Sequence, residues 1–232
     1  MRYTYCIMLF LLIYVYFSCI NIDFPKIIKR TQVSNRNHIM NFTKGELVII
    51  EDSDFLLTKV KVIAKVRELL VETRSEIYDS IQNSTFSFQH EINLKTGKIS
   101  RGENYKNLPY LVLDYPSLFG SDDTFAFRTM FWWGNFFSAT LHLQGNSLNK
   151  YRRFVVKRIN RLVEQEVFIS IGDEPWEYHY EKNNYIPLKK GHRDFIQDCH
   201  FLKLSKKTSL KNWENVPRFS SNFLELLLSV LH

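Results

Sequence analysis

The sequence contains few of the residues that cross-link, kink or loosen a chain. Its 232 residues include three cysteines, six prolines and eight glycines. Cys6 and Cys19 lie in an apolar N-terminal stretch, which leaves only Cys199 in the remainder of the chain. A single cysteine cannot build a disulfide framework there or a CxxC zinc site. The scarcity of glycine and proline argues against a long flexible linker.

The short motifs that mark common enzyme chemistries do not occur either. We find no Walker loop, GxGxxG fingerprint, GxSxG elbow or HExxH pair. Carboxylates and imidazoles do gather in two segments, and such side chains can bind a divalent ion. The residues concerned are Asp173, Glu174, Glu177, His179, His192, Asp194, Asp198 and His200. Because their spacing matches no known site, we predict neither a metal nor a cofactor.

The positive charge of the chain is concentrated at its start. The formal net charge is +7, from 31 basic and 24 acidic residues. Residues 1–39 hold five of the basic residues and one acid, which leaves 26 basic and 23 acidic residues beyond them. The rest of the chain is therefore only mildly basic, and its overall charge says little about partners.

The first 22 residues, MRYTYCIMLFLLIYVYFSCINI, are apolar and carry no charge after Arg2. They could form a secretory signal, or an uncleaved anchor held by the basic residues that follow. A third interpretation is that translation begins at Met40, because residues 23–39 show no helical or strand period. We predict a cytoplasmic protein that starts at Met40. The alternative is a protein exported, or anchored in a membrane, through residues 1–22.

Hydrophobic periodicity beyond Met40 predicts two long amphipathic helices. The first covers residues 53–82, and its apolar stripe consists of Phe55, Val60, Ile63, Val66, Leu70 and Ile77. The second covers residues 147–164, with a stripe of Leu148, Tyr151, Val155, Ile159 and Leu162. The C-terminal segment SSNFLELLLSVLH predicts a third helix. It is apolar on most sides and should dock against the domain.

Several short strands are predicted between these helices. They are placed at residues 84–94, 109–116, 167–171 and 199–204 and on both sides of Gly134, with a polar turn region at 95–109. We expect residues 40–232 to form a single α+β domain with a mostly antiparallel sheet and a central aromatic hairpin. Residues 1–39 are then a leader, an anchor or mis-assigned upstream sequence.

The predicted hairpin is the stretch FAFRTMFWWGNFFSATLHLQG, residues 125–145. Gly134-Asn135 suits a two-residue type II′ turn, since glycine accepts a positive φ at the first position. That turn would pair Trp133 with Phe136 and Phe127 with His142, and it would place Arg128 opposite Leu141. Both faces are then apolar, which favours a central position in the sheet. The two long helices could each cover one face, or the second face could bind a ligand.

The hairpin and the strand before it supply the candidate site. A guanidinium cannot remain unpaired in a dry core, so we predict that Arg128 pairs with Asp114 or stacks on Trp132. The candidate ligand-binding residues are Trp132, Trp133, Arg128, His142 and Asp114. We expect a soluble, non-enzymatic module with an aromatic-lined surface or pocket. Its partner would be a small planar ligand or another protein. The alternative is an enzyme with a site around His142, Asp114 and Arg128.

The second predicted helix also carries a basic stripe, formed by Lys150, Arg153, Lys157 and Arg161. These side chains could bind phosphates, so a nucleic-acid-associated protein using helix 147–164 is a further alternative. The lysines of residues 203–211 would strengthen it if both basic segments lay on one surface.

The order of these parts resembles the YktB-like family, a small group of bacterial cytosolic proteins of unknown function. The matching residues are Phe42-Thr43, the segment Tyr105-Lys106-Asn107-Leu108-Pro109 and Trp133-Gly134. The resemblance covers residues 40–232. It implies an α+β fold and a chain that starts near Phe42, and it supplies no catalytic residues.

Overall fold

The computed structural model describes residues 41–232. The expectations for residues 1–39 and for a start at Met40 concern a part of the chain outside this range, and they stay predictions, as does a single domain from residue 40. The chain divides into two units between Phe55 and Leu56, and each is described by itself. Across residues 41–232, no helix is both long and apolar enough to cross a membrane.

In the first unit, helix α1 spans Lys44–Glu51 and opens with a capping box. The Thr43 hydroxyl accepts a hydrogen bond from the Glu46 backbone N–H at 3.2 Å, and the Glu46 carboxylate accepts one from the Thr43 N–H at 2.7 Å. No residue of α1 is buried. Periodicity did not predict this helix, although Thr43 and Glu46 have the spacing of a capping box.

Helix α2, Ser53–Gln82, confirms the first predicted long helix. Its buried stripe begins at Ile63 and continues to Ile81. Phe55 and Val60, which the predicted stripe includes, are exposed instead. Hydrophobic spacing identifies which face of a helix is apolar, but it does not show how far along the helix its neighbours extend.

Seven antiparallel strands form one sheet in the order β1-β2-β3-β4-β7-β5-β6. Their bounds are β1 Lys98–Tyr105, β2 Leu108–Phe119, β3 Thr124–Trp132, β4 Phe136–Gln144, β5 Phe168–Ser170, β6 Tyr185–Pro187 and β7 Phe201–Ser209. The aromatic hairpin supplies β3 and β4, so it is central in the sheet, as predicted. Together with the helices, the antiparallel sheet confirms the α+β class.

Two predicted segments before the hairpin are wrong. Residues 84–94 form no strand, apart from an isolated bridge between Asn93 and Ser117. The region 95–109, predicted as a polar turn, instead holds β1 and a two-residue hairpin turn at Lys106-Asn107. Both turn residues have positive φ, 48° and 64°. Because β1 is an edge strand whose side chains are exposed or half-buried, it shows no apolar alternation in the sequence.

The hairpin between β3 and β4 differs from its predicted register by one residue. Trp132 pairs with Phe136, and Arg128 pairs with Thr140. The Asn135 N–H donates to the Trp132 carbonyl at 3.0 Å, and Gly134, with φ 72°, stands third in that turn. A type II turn requires positive φ at this position. A one-residue slip moves every side chain of β4 to the other face, so the predicted pairing of Phe127 with His142 is wrong.

One face of the sheet, here called the helix face, packs against all the long helices of the second unit. Helix α3 spans Gly145–Val163 and α5 spans Val216–Val230. Both join α2 in one hydrophobic cluster with strand residues such as Leu113, Phe127 and Leu141. The α3 stripe is buried as predicted and the C-terminal helix docks as predicted. The expectation that helices 53–82 and 147–164 cover opposite faces is wrong.

The opposite face of the sheet, here called the loop face, lies under an irregular segment. The short strands β5 and β6 are paired, and the residues between them form loop 171–184. Tyr178 of this loop belongs to a second, smaller hydrophobic cluster with Val112, Met130 and Trp132. A short helix, α4 at Arg193–Asp198, then leads to β7.

Candidate ligand-binding site

The loop face carries two rows of polar side chains because the four central strands align them. Asp114 pairs with Arg128, which pairs with Thr140, which pairs with Ser205. In the adjacent row, Ala126 pairs with His142, which pairs with Lys203. Residues directly opposite each other on antiparallel strands point to the same side. The register therefore brings groups from β2, β3, β4 and β7 onto one surface.

Arg128 and Asp114 form a bidentate ion pair, which confirms the predicted pairing. The Arg128 Nε and Nη2 donate to the two carboxylate oxygens of Asp114 at 2.7 and 2.9 Å. Burial lowers the pKa of Arg128, but the bonds to Asp114 outweigh it and raise the pKa above its ordinary value. The guanidinium lies 4.8 Å from the centre of the Tyr178 ring rather than on Trp132. Both oxygens of Asp114 are engaged in this pair.

His142 is buried without hydrogen-bond partners. It is 1% exposed, and among the described residues neither ring nitrogen has a hydrogen-bond partner. Burial, together with the positive charges of Lys203 and Arg128, lowers its pKa to about 3. The imidazole is therefore neutral at neutral pH, with one N–H donor and one lone pair that nothing in the described chain satisfies.

Lys203 is the third unusual group on this face, since it is fully buried. Its ammonium donates to the backbone carbonyl of Glu177 in loop 171–184. The rings of Tyr178, Tyr185 and Phe201 surround the nitrogen at 4.8, 5.2 and 5.6 Å. Burial is the main reason that its pKa falls to about 7. Near neutral pH, small changes in its surroundings would change its charge.

The second half of loop 171–184 is fixed to the sheet by hydrogen bonds. The Tyr105 hydroxyl accepts from the backbone N–H groups of Tyr178 and His179 at 2.7 and 3.0 Å, and it lies 2.8 Å from a Glu177 carboxylate oxygen. The Tyr180 hydroxyl bonds to Ser205 on β7. These contacts hold residues 177–180 directly over the polar rows.

The first half of the loop places Trp176 over His142. The two rings are 5.2 Å apart in an edge-on arrangement. Trp176 is 49% exposed, and its ring also contacts Phe119, which is 46% exposed. A half-exposed tryptophan thus separates a buried histidine from solvent. Loops of this length commonly act as covers for functional sites.

Of the predicted candidate residues, the structure brings four to one face and leaves one apart. Asp114, Arg128, His142 and Trp132 all lie on the loop face. Trp133 lies in the turn, where it contacts Phe131 and packs against the helix-face cluster. It belongs to a different surface from the other four because the hairpin turns at residues 133–135.

Sequence reasoning missed Lys203, Trp176, Tyr178 and Tyr105 as members of this site. Lys203 had a local signal, because it stands between Leu202 and Leu204 in the predicted strand at residues 199–204. Loop 171–184 gave no such signal, since neither period is present in it. Its position depends on contacts with strands far away in the sequence.

The basic segments predicted as a phosphate site are divided between the two faces of the sheet. Lys150, Arg153, Lys157 and Arg161 are exposed on α3, which packs on the helix face. Lys206 lies on that same face, paired with Ala139, whereas Lys203 and Lys207 lie on the loop face. The sheet thus separates α3 from these two lysines. In residues 41–232, no group of three or more histidine, cysteine or acidic side chains has a geometry that could hold a metal ion.

Comparison with known proteins gives no relative for this chain: no family model, no curated protein and no solved structure matches it. The resemblance to the YktB-like family therefore stays a prediction. The chemistry of the loop face is the basis on which a function can be proposed.

Proposed function

We propose that this protein is a non-enzymatic binding module that holds a small planar ligand on the loop face, beside His142. The observation that carries the proposal is the buried imidazole with two unsatisfied nitrogens. Leaving a buried donor or acceptor unpaired costs about 1–3 kcal/mol. A folded protein retains such a group when something other than its own chain, such as a ligand or a water molecule, completes its bonds.

The surroundings of His142 favour an anionic ligand. Arg128 and Lys203 are both cationic below the pKa of Lys203. The Asp114 carboxylate is already engaged by Arg128, and the Glu177 carboxylate accepts a hydrogen bond from Tyr105. A carboxylate could accept a hydrogen bond from the imidazole N–H and remain close to both cations. The rings of Trp176 and Tyr178 supply flat apolar surfaces. Together these groups suit a planar aromatic carboxylate.

Binding fits this arrangement better than acid–base catalysis does. A general base works best when its pKa lies near the operating pH, and that of His142 is lowered to about 3. A catalytic histidine is also commonly oriented by a carboxylate. Here Asp114 bonds to Arg128 through both oxygens and makes no bond to His142. These two facts favour the binding module over an enzyme built on His142, Asp114 and Arg128.

Entry to the site would require Trp176 to move. The bonds from Tyr105 and Ser205 hold the loop at residues 177–180, whereas the turn before them carries the half-exposed Trp176. The loop is also held at Ile171, whose N–H donates to the Asn184 carbonyl at 2.7 Å, so the turn between Ile171 and residue 177 is the part that would open.

The proposal can be tested with benzoate and indole-3-carboxylate as probes, each compared with its neutral amide. Binding would be measured by titration calorimetry and by the NMR shifts of the histidine rings. We expect each carboxylate to bind at least about tenfold more tightly than its amide. His142→Phe should remove this binding. His90→Phe, at an exposed histidine, should leave it intact.

Two results would contradict the proposal. One is that neither carboxylate binds at concentrations up to about 10 mM, a limit that corresponds to less than about 3 kcal/mol of binding free energy. The other is that His142→Phe binds the carboxylates with the same affinity as the unaltered protein.

A further inference from the structure

A second group of aromatic rings lies on the loop face, away from His142. The rings of Phe136 and Tyr180 are 5.0 Å apart at 83°, and those of Phe168 and Tyr180 are 5.0 Å apart at 81°. Tyr180 thus stands nearly perpendicular to both rings, and it stacks on Tyr185 with the ring centres 4.7 Å apart. The three rings therefore form one cluster on this face.

A cation already lies among these rings. The Lys207 ammonium is 4.6 Å from the centre of Tyr180, 5.7 Å from Phe136 and 5.8 Å from Phe168. All three distances fall within the range of cation–π attraction. Within residues 41–232 the Lys207 ammonium makes no ion pair with a carboxylate. The rings are therefore its main attractive neighbours.

The ammonium group of Lys207 can move away from the rings around it, whereas that of the buried Lys203 cannot. Lys203 is fully buried and bonded to a carbonyl, whereas Lys207 is exposed. A cavity of about 470 Å³, open to solvent, lies beside it and is lined by Phe168, Lys207 and Glu166, among others. A ligand could enter through this cavity, where Glu166 and Lys206 supply one charge of each sign besides Lys207.

We propose that Phe136, Phe168 and Tyr180 form an aromatic cage for a quaternary ammonium group, and that the Lys207 ammonium occupies it until such a ligand displaces it. Quaternary ammonium ions suit such a cage better than lysine does, because they are less strongly hydrated and fill the space between the rings with methyl groups. The proposal does not depend on a ligand at His142.

The test uses choline as the probe and 3,3-dimethylbutan-1-ol, its neutral isostere, as the comparison. Binding would be followed through the shift of the methyl proton resonances, which ring currents move upfield, and by calorimetry. Because Lys207 competes for the cage, Lys207→Gln should bind choline at least about tenfold more tightly than the unaltered protein. Lys211→Gln, at an exposed lysine of the next segment, should bind as the unaltered protein does.

Two further variants in the Lys207→Gln background separate the cage from a general loss of folding. Tyr180→Phe keeps the ring and should retain choline binding, while Tyr180→Leu should abolish it. If Tyr180→Leu does not fold, Phe136→Leu serves the same purpose. The proposal is overturned if Lys207→Gln binds no choline, or if it binds the neutral alcohol as tightly as choline.

Discussion

The helix face and the loop face belong to the same strands but are stabilised in different ways. Leu113, Phe127 and Leu141 on the helix face join one large apolar core. Directly beside them in sequence, Asp114, Arg128 and His142 point to the loop face. The helix face gains mainly from apolar burial, with a buried hydrogen bond between Thr129 and Ser220, whereas the loop face buries charged groups and an imidazole that each need a partner. His142, whose two ring nitrogens both have no hydrogen-bond partner within residues 41–232, marks where we expect a ligand.

The largest effect should come from the helix face. Phe127 is fully buried and its ring packs 6.1 Å from that of Phe223 on α5. Phe127→Ala should lower the free energy of unfolding by about 3–5 kcal/mol, because it leaves a cavity in the core. Urea denaturation would measure this. Val71→Ala, at an exposed position of α2, should change stability by less than about 0.5 kcal/mol. A loss at Phe127 no larger than that of Val71→Ala would contradict the assignment of this face as the core.

On the loop face, removal of one partner of the buried ion pair should have a comparable effect. Asp114→Asn should cost about 3–5 kcal/mol because it leaves the Arg128 charge uncompensated. The double variant with Arg128→Met should recover a large part of that loss, since neither charge remains. A double-mutant cycle read by urea unfolding measures the coupling. Effects that add to within about 0.5 kcal/mol would show that the pair contributes no coupling.

Lys203 should make stability depend on pH. Its pKa is about 7 in the folded protein and 10.5 when unfolded, so between these values the unfolded chain binds more protons. Stability should therefore rise between pH 7 and 9.5, by up to about 1.4 kcal/mol per pH unit. Lys203→Met should flatten this rise, while Lys211→Met should not. Equal slopes for Lys203→Met and the unaltered protein would show that Lys203 is not the cause.

The helix face was largely predictable from sequence because its signals are local. The apolar stripe of α3, from Leu148 to Leu162, and the run of aromatic residues in the hairpin have the periods of a helix and of a strand. A buried stripe keeps its spacing whatever it packs against. On the loop face, the pair of Arg128 with Asp114 was also predictable, because a charge in a buried strand requires a partner and Asp114 is the nearest acid on a predicted strand.

The loop face was not predictable to the same degree, for two physical reasons. The turn at Gly134 decides the register of β4, and one residue of difference moved His142 from the face of Phe127 to that of Arg128. The cover, with Trp176 and Tyr178, is an irregular loop whose position depends on hydrogen bonds to Tyr105 and Ser205. Such non-local contacts leave no period in the sequence.

The central claim is that His142 is kept with unsatisfied nitrogens for a ligand, and its stability cost tests this most directly. The measurement is the free energy of unfolding of His142→Phe at pH 8, where imidazole is neutral in both the folded and the unfolded state. We predict a gain of about 1–3 kcal/mol without ligand, because an apolar ring replaces two unpaired polar atoms. His90→Phe should show no such gain. A loss of more than about 1 kcal/mol in His142→Phe would contradict the account, since it would mean that the folded chain already satisfies the imidazole.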